Sequence, residues 1–192
     1  MQEFKLFMVL LGCRPPGRHT EQHDVFFGIA RSLPELVPDM KVFWREAAQK
    51  IHIDAWREVN VVDGYQVKIS LRDDIFTTSE KKDQRLFFVN LGGYQEGKFE
   101  EQHFTVLTVQ PDRASAIAQA KKTLFFKNNQ FGKAVSHVDD KYGIDVDDLY
   151  DIEEILPARH KSGFRIELIP AIALAPDEIH LGYLKLSALK AC

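Results

Sequence analysis

Cysteine is nearly absent from this chain. Cys13 and Cys192 are its two thiols, too few for a disulfide framework, so a reducing, cytoplasmic setting is expected. Long apolar runs are missing too. No stretch reaches the roughly 18 apolar residues of a membrane span, and no membrane association is expected. There is no basic excess: 25 Lys and Arg against 28 Asp and Glu leave a net charge of −3. Nucleic-acid binding is not expected from such a balance without a basic stripe. The glycine-rich phosphate loop, the Gly-x-Ser-x-Gly elbow, the paired Cys-x-x-Cys and the His-Glu-x-x-His helix are likewise missing, which removes the chemistries those motifs carry. What remains is ordinary globular composition, 45% hydrophobic and 28% charged.

What the chain does have is a shortened copy of itself. Lys5-Leu-Phe-Met-Val-Leu-Leu-Gly12 is followed by a loop and Glu21-Gln22-His23. Arg85-Leu-Phe-Phe-Val-Asn-Leu-Gly92 is followed by a loop and Glu101-Gln102-His103, 80 residues later at every step. Self-similarity of this kind decides architecture before propensity is consulted. It also settles a targeting question. Leu10-Leu11-Gly12-Cys13 has the look of a lipoprotein cleavage box. The apolar run before it is short, and the same strand recurs inside the chain at Leu86–Leu91, where no signal peptide can sit.

The pattern predicts α+β modules of strand–strand–helix–strand–strand. Lys5–Leu11 is apolar on both faces and reads as a central strand. His23–Ala30 is the second strand. Ser32 with Glu35 suggests a capping box. Leu33, Leu36, Val37, Met40 and Trp44 share a helical face, although Pro38 argues for a kink or a late start. The second copy offers Asp112 as N-cap and Ala116, Ile117, Ala120 and Leu124 as the equivalent face. Ile51–Val62 is β-rich, and Tyr65–Ile69 and Gly163–Leu168 alternate like half-wet strands. A β-grasp, ubiquitin-like roll is the favoured topology and a ferredoxin-like one the alternative. The expected organisation is a module at 1–72, a polar linker at 73–84, a second module at 85–170 with an insertion near 128–161, and a docked apolar tail at 171–192.

Four sets of residues could carry chemistry. In Glu21-Gln22-His23 and Glu101-Gln102-His103, Glu and His lie two apart and share one side of an extended chain. They suit proton transfer or metal ligation; the competing role is fixing a loop by ordinary polar satisfaction. His52-Ile53-Asp54 is set against His137-Val138-Asp139, again with His and Asp on one side. The acidic stretch Asp139–Glu154 lacks the glycine placement of a calcium loop. Its Val146, Leu149, Ile152 and Leu156 recur at helical spacing, so an amphipathic helix is expected there. Cys13 is a weak nucleophile candidate, better read as a small residue at a strand end.

The first-strand pattern, Glu21-Gln22-His23-Asp24-Val25, Ser32-Leu33, His52-Ile53-Asp54-Ala55-Trp56-Arg57-Glu58-Val59 and Asp63-Gly64-Tyr65 together resemble a small bacterial family whose members carry one or two copies of a domain of unknown function. The resemblance implies the duplication and no activity, cofactor or catalytic residue.

The leading functional expectation is a cytoplasmic tandem-repeat binding module, holding a small ligand or protein partner between its copies, with the Glu/His pairs lining the site. The alternative is a metal-dependent hydrolase using Glu21, His23, His52 and Asp54 around one ion. A third is an intramolecular version of a homodimer, and homo-oligomerisation stays open. No cofactor is specified by any motif, and whether the chain is an enzyme is left open.

Overall fold

The computed structural model describes residues 3–47, 50–72, 83–94, 98–122 and 144–189. Its architecture is α+β, with few helices and antiparallel ladders throughout the described residues. It divides into two compact units: residues 1–77 with 155–192, and residues 78–154.

In the first unit, β1 (Lys5–Cys13) lies between β2 (Gln22–Ala30) and β3 (His52–Glu58). Its greasy faces dictate that central place. Phe7, Val9, Leu11 and Cys13 face one way, into a cluster with Phe26, Leu33, Leu36, Met40 and Ile53. The helical layer over this face is a 3-10 turn at Leu33–Leu36 leading into α1 (Val37–Phe43), with Pro38 in its first turn, where a missing N–H costs nothing. Each large side chain sealed in this way stabilises by about 1.5–3 kcal/mol. The expected capping box is altered. The Ser32 hydroxyl donates to Glu35 at 3.1 Å and the Arg31 N–H donates to Glu35 at 3.3 Å, while the Ser32 side chain caps no backbone amide.

The opposite face of β1 is covered at one end. Leu6, Phe27 and Ile29 are buried there. The Ile29 N–H donates to Nδ1 of buried His160 at 3.2 Å. His160 lies in a short helix, Ala158–Gly163, whose Arg159 pairs with Asp39. At the Gly12 end the same face carries exposed His23.

β4 (Val61–Val62) and β5 (Tyr65–Leu71) form a hairpin through Asp63 and Gly64, both with positive φ (50° and 79°), the pair of values a two-residue type I′ turn requires. β5 continues into a ladder with β9 (Phe164–Pro170). β9 was expected to close the second module; it pairs in the first unit instead. In the apolar tail, β10 (His180–Lys185) pairs with the edge of β3. Leu184, Leu186 and Leu189 enter the core cluster, whereas Leu181 and Tyr183 point outward.

The second unit repeats the theme in fewer pieces. β6 (Arg85–Tyr94) lies between β7 (Glu101–Gln110) and β8 (Ile144–Asp151), and α2 (Arg113–Ala120) packs its buried Ala116 and Ala120 on the sheet. Asp112 is the N-cap, accepting the Ser115 N–H at 2.7 Å. The amphipathic helix expected across Asp139–Glu154 is corrected: residues 144–151 are a strand. Leu124 and residues 128–143 of the expected insertion lie outside the described residues.

Neither favoured topology finds its signature among the described residues. A β-grasp roll joins its first and last strands in parallel, and a ferredoxin-like sheet is built from parallel βαβ crossovers. All seven ladders here are antiparallel. No described helix is long and apolar enough to cross a membrane.

Candidate functional site

At the Gly12 end of the first sheet, three strands present one residue each in a row. Gly12 of β1 lies between His23 of β2 and His52 of β3. A bulge in β3 opposite Leu10 and Leu11 leaves Asp54 without a cross-strand partner and throws its carboxylate onto the same face. Glu21, just before β2, completes the group. His52 Nε2 lies 3.0 Å from Glu21 Oε1 and 3.2 Å from Asp54 Oδ1. His23 Nε2 lies 3.2 Å from Asp54 Oδ2 and 4.0 Å from Glu21 Oε2.

The row works because its middle member has no side chain. A Cβ on Gly12 would lie 2.3 Å from Asp54 Oδ2 and 2.4 Å from His52 Nε2. Among the described residues, three side-chain atoms are buried without a hydrogen-bond partner; these are two of them, and the third, Asp151 Oδ2, lies in the second unit. Carboxylate oxygens lie within 3.0–3.2 Å of His52 Nε2, yet not in donor–acceptor geometry. Buried polar atoms rarely stay unpaired without a reason.

Access is one-sided. The His52 side chain is 7% exposed, against 46% for His23 and 45% for Glu21. Tyr183 of β10 lies against the His52 ring, with centroids 4.4 Å apart. Next to it Trp56 stacks on His180 at 3.9 Å. The docked tail therefore fixes the inner histidine, while the outer pair meets solvent.

The second unit brings together Glu101, His103 and Asp147, whose candidate ligand atoms lie within 4.8 Å of one another. His103 Nε2 is 3.4 Å from Asp147 Oδ2 and 3.8 Å from Glu101 Oε2. Gly92 of β6 pairs with His103 on one side and Asp145 on the other. A Cβ there would meet Asp147 Oδ2 at 2.2 Å. The β8 bulge falls at the same point, opposite Asn90 and Leu91.

Of the residues expected from sequence, Glu21, His23, His52 and Asp54 converge, and Glu101 joins His103. Gln22 and Gln102 do not; they alternate away and bond locally, to Thr20 and to the Glu100 carbonyl. His137 and Asp139 lie outside the described residues. In the ladders it is Asp145-Val146-Asp147 that occupies the place of His52-Ile53-Asp54. Asp147 was not foreseen. The signal was there: read from His52 and from Asp145, Ile53 meets Val146, Asp54 meets Asp147 and Glu58 meets Asp151. Cys13 is buried, and desolvation pushes its thiol pKa up, the reverse of what a nucleophile needs.

The solved structure of a protein Il1583 from Idiomarina loihiensis shares this fold, with a TM-score of 0.61, covering 96% of this chain and 98% of that one at 21% identity. No curated protein matches the chain. Residues 18–69, which carry Glu21, His23, His52 and Asp54, match the family model of a domain of unknown function, DUF1543.

Proposed function

We propose that this protein is a metal-binding module whose first unit holds one divalent transition-metal ion between Glu21, His23, His52 and Asp54. The observation that carries the reading is that His52 Nε2 and Asp54 Oδ2, both buried and without a hydrogen-bond partner, sit side by side over Gly12, where only a residue without a side chain leaves them room. The spacing supports it. Bonds of about 2.1 Å to a tetrahedral ion set donors roughly 3.4 Å apart, and the four imidazole–carboxylate contacts in the group span 3.0–4.0 Å. Two imidazoles with two carboxylates suit zinc or iron better than calcium or magnesium.

The exposed side formed by Glu21 and His23 leaves room for a small ligand on the ion. That openness favours a second reading, the metal-dependent hydrolase, in which the ion would acidify a bound water. Both readings stand on the same ion, and the donors lie within one unit.

We also read the two units as products of a duplication. Lys5 pairs with Glu58 and Arg85 with Asp151, each at 2.8 Å, across equivalent strands. In the β5–β9 ladder Lys68 faces Glu167, its own counterpart when Gly64 is set against Gly163. Such a ladder has local two-fold character, as two copies of a dimer would make.

Elemental analysis after expression in zinc- and iron-supplemented medium tests the metal. About one equivalent is expected, lost in the His23→Ala/His52→Ala double variant. Less than about a tenth of an equivalent in the natural chain would sink the proposal.

A further inference from the structure

We infer that the second unit carries its own cation site, at Glu101, His103 and Asp147, with a harder preference than the first. Its three donors converge within 4.8 Å. His103 Nε2 stands 3.4 Å from Asp147 Oδ2, close to the edge of a coordination polyhedron with bonds of about 2.1 Å. Room for the converging ligands is preserved by the same device as in the first unit, a glycine at the centre of the row. A methyl at Gly92 would sit 2.2 Å from the Asp147 carboxylate. The site stands on its own donors and does not need the first to be correct.

The difference lies in the third strand. Where β3 sets His52 opposite Gly12, β8 sets Asp145 opposite Gly92. One imidazole with two carboxylates is an oxygen-rich set, and such sets select manganese, magnesium or calcium over zinc. The site is also shallower: the His103 side chain is 51% exposed, and Glu101 and Asp147 are each about 30% exposed. A wetter, harder site binds more weakly and exchanges faster than a buried imidazole pair. Manganese is the probe that reports it, because it accepts one imidazole with carboxylates and broadens visibly on binding.

The experiment is a Mn²⁺ titration of the full chain, followed by electron paramagnetic resonance, in four forms. The His23→Ala/His52→Ala variant, with the first site removed, should still take up about one Mn²⁺. Adding Asp147→Asn to it should weaken that uptake at least tenfold. Asp147→Asn alone should leave zinc at the first site unchanged. Asp145→His should shift preference at the second site from manganese toward zinc. Circular dichroism checks that each variant folds; should the triple variant fail, Gly92→Ala in the double-variant background replaces it and should weaken uptake in the same way. Uptake of Mn²⁺ that is indifferent to both Asp147→Asn and Gly92→Ala overturns the inference, as does absence of uptake in the folded double variant. Failure of the first site reads differently, as zinc binding in the natural chain that ignores His23 and His52.

Discussion

Unit 1 and unit 2 solve one geometric problem with different residues. Both put a glycine on the central strand, a Glu-x-His on one neighbour and a bulged Asp on the other. In unit 1 the inner position is His52, nearly sealed and backed by Tyr183. In unit 2 the residue in register with His52 is Asp145, and no tail strand joins that sheet among the described residues. The comparison separates what the scaffold supplies from what the ligand set chooses. The scaffold supplies a glycine over which ligand side chains can close and a bulge that aims a carboxylate. The inner residue sets softness, and the docked tail sets burial.

The largest expected effect breaks the scaffold while keeping every ligand. Gly12→Val should lower zinc affinity by on the order of 100-fold or more, because its side chain displaces the Asp54 carboxylate and the His52 ring. Gly92→Val should leave zinc at the first site unchanged and abolish Mn²⁺ uptake at the second. Isothermal titration of both variants with both metals checks the pair. Equal losses of both metals in either variant would show that the two sites are not independent.

How much of this was legible beforehand depended on register. The central strands were readable because β1 and β6 are apolar on both faces, and Glu21, His23, Glu101 and His103 were readable because the copies match there without a gap. β8 was misread for a physical reason. A bulge puts one extra residue into the strand, so Val146 and Leu149, three apart, both face the core, opposite Leu91 and Val89. Apolar positions three apart are what a helix shows. Ile53 and Trp56 stand in the same relation on β3, opposite Leu11 and Val9. The same bulge hid Asp147, since a strict two-residue period gives it no reason to face the site. The exchange of β9 into the first unit was not legible either, because alternation specifies a half-wet strand and not its partner.

The next effect sharpens the comparison through pH. His160 of unit 1 is buried and accepts the Ile29 N–H through Nδ1. Burial holds its pKa below the usual 6.5, against the pull of Asp39. A depressed histidine is neutral in the folded state while the unfolded chain takes up the proton. Unit 1 is therefore fully stabilised above about 6.5 and loses stability as pH falls through that value and below. Asp151 of unit 2 has the opposite sign. Desolvation raises its pKa above 3.8, opposed by the Glu153 amide and by Arg85. Arg85 Nε stands 2.8 Å from Asp151 Oδ2, in ion-pair range but outside hydrogen-bond geometry. A raised carboxyl contributes stability when protonated, lost as pH rises through the folded value. Urea melts between pH 7.5 and 4.5 should show both. His160→Phe should remove the acid-side loss, and Asp151→Asn should remove the acid-side gain. At pH 7.5 His160→Ala should cost about 3 kcal/mol, from the cavity and the orphaned Ile29 amide. Melts whose pH slope ignores both substitutions would place the titrating groups elsewhere.

The smallest effect concerns the tail, which unit 1 uses to close its sheet. Asp177 accepts the N–H groups of Asn60 and Val61, at 3.1 and 3.4 Å, just where the chain leaves β3 for the hairpin. Asn60 lies between the ladders and Val61 opens β4, so the carboxylate ties the segment entering β10 to the end of the strand carrying His52 and Asp54. Asp177→Ala should cost only about 1 kcal/mol, because water can reach the freed amides. Its more informative consequence is at the metal. With β10 held less firmly, Tyr183 no longer confines the His52 ring, and zinc should leave the first site a few-fold faster while manganese exchange at the second is untouched. A stopped-flow chelator chase reads both rates in one protein. If both metals speed up together, the tail acts on the whole molecule and not on the inner histidine; if neither changes, Tyr183 is a bystander and the burial of His52 must come from the sheet alone.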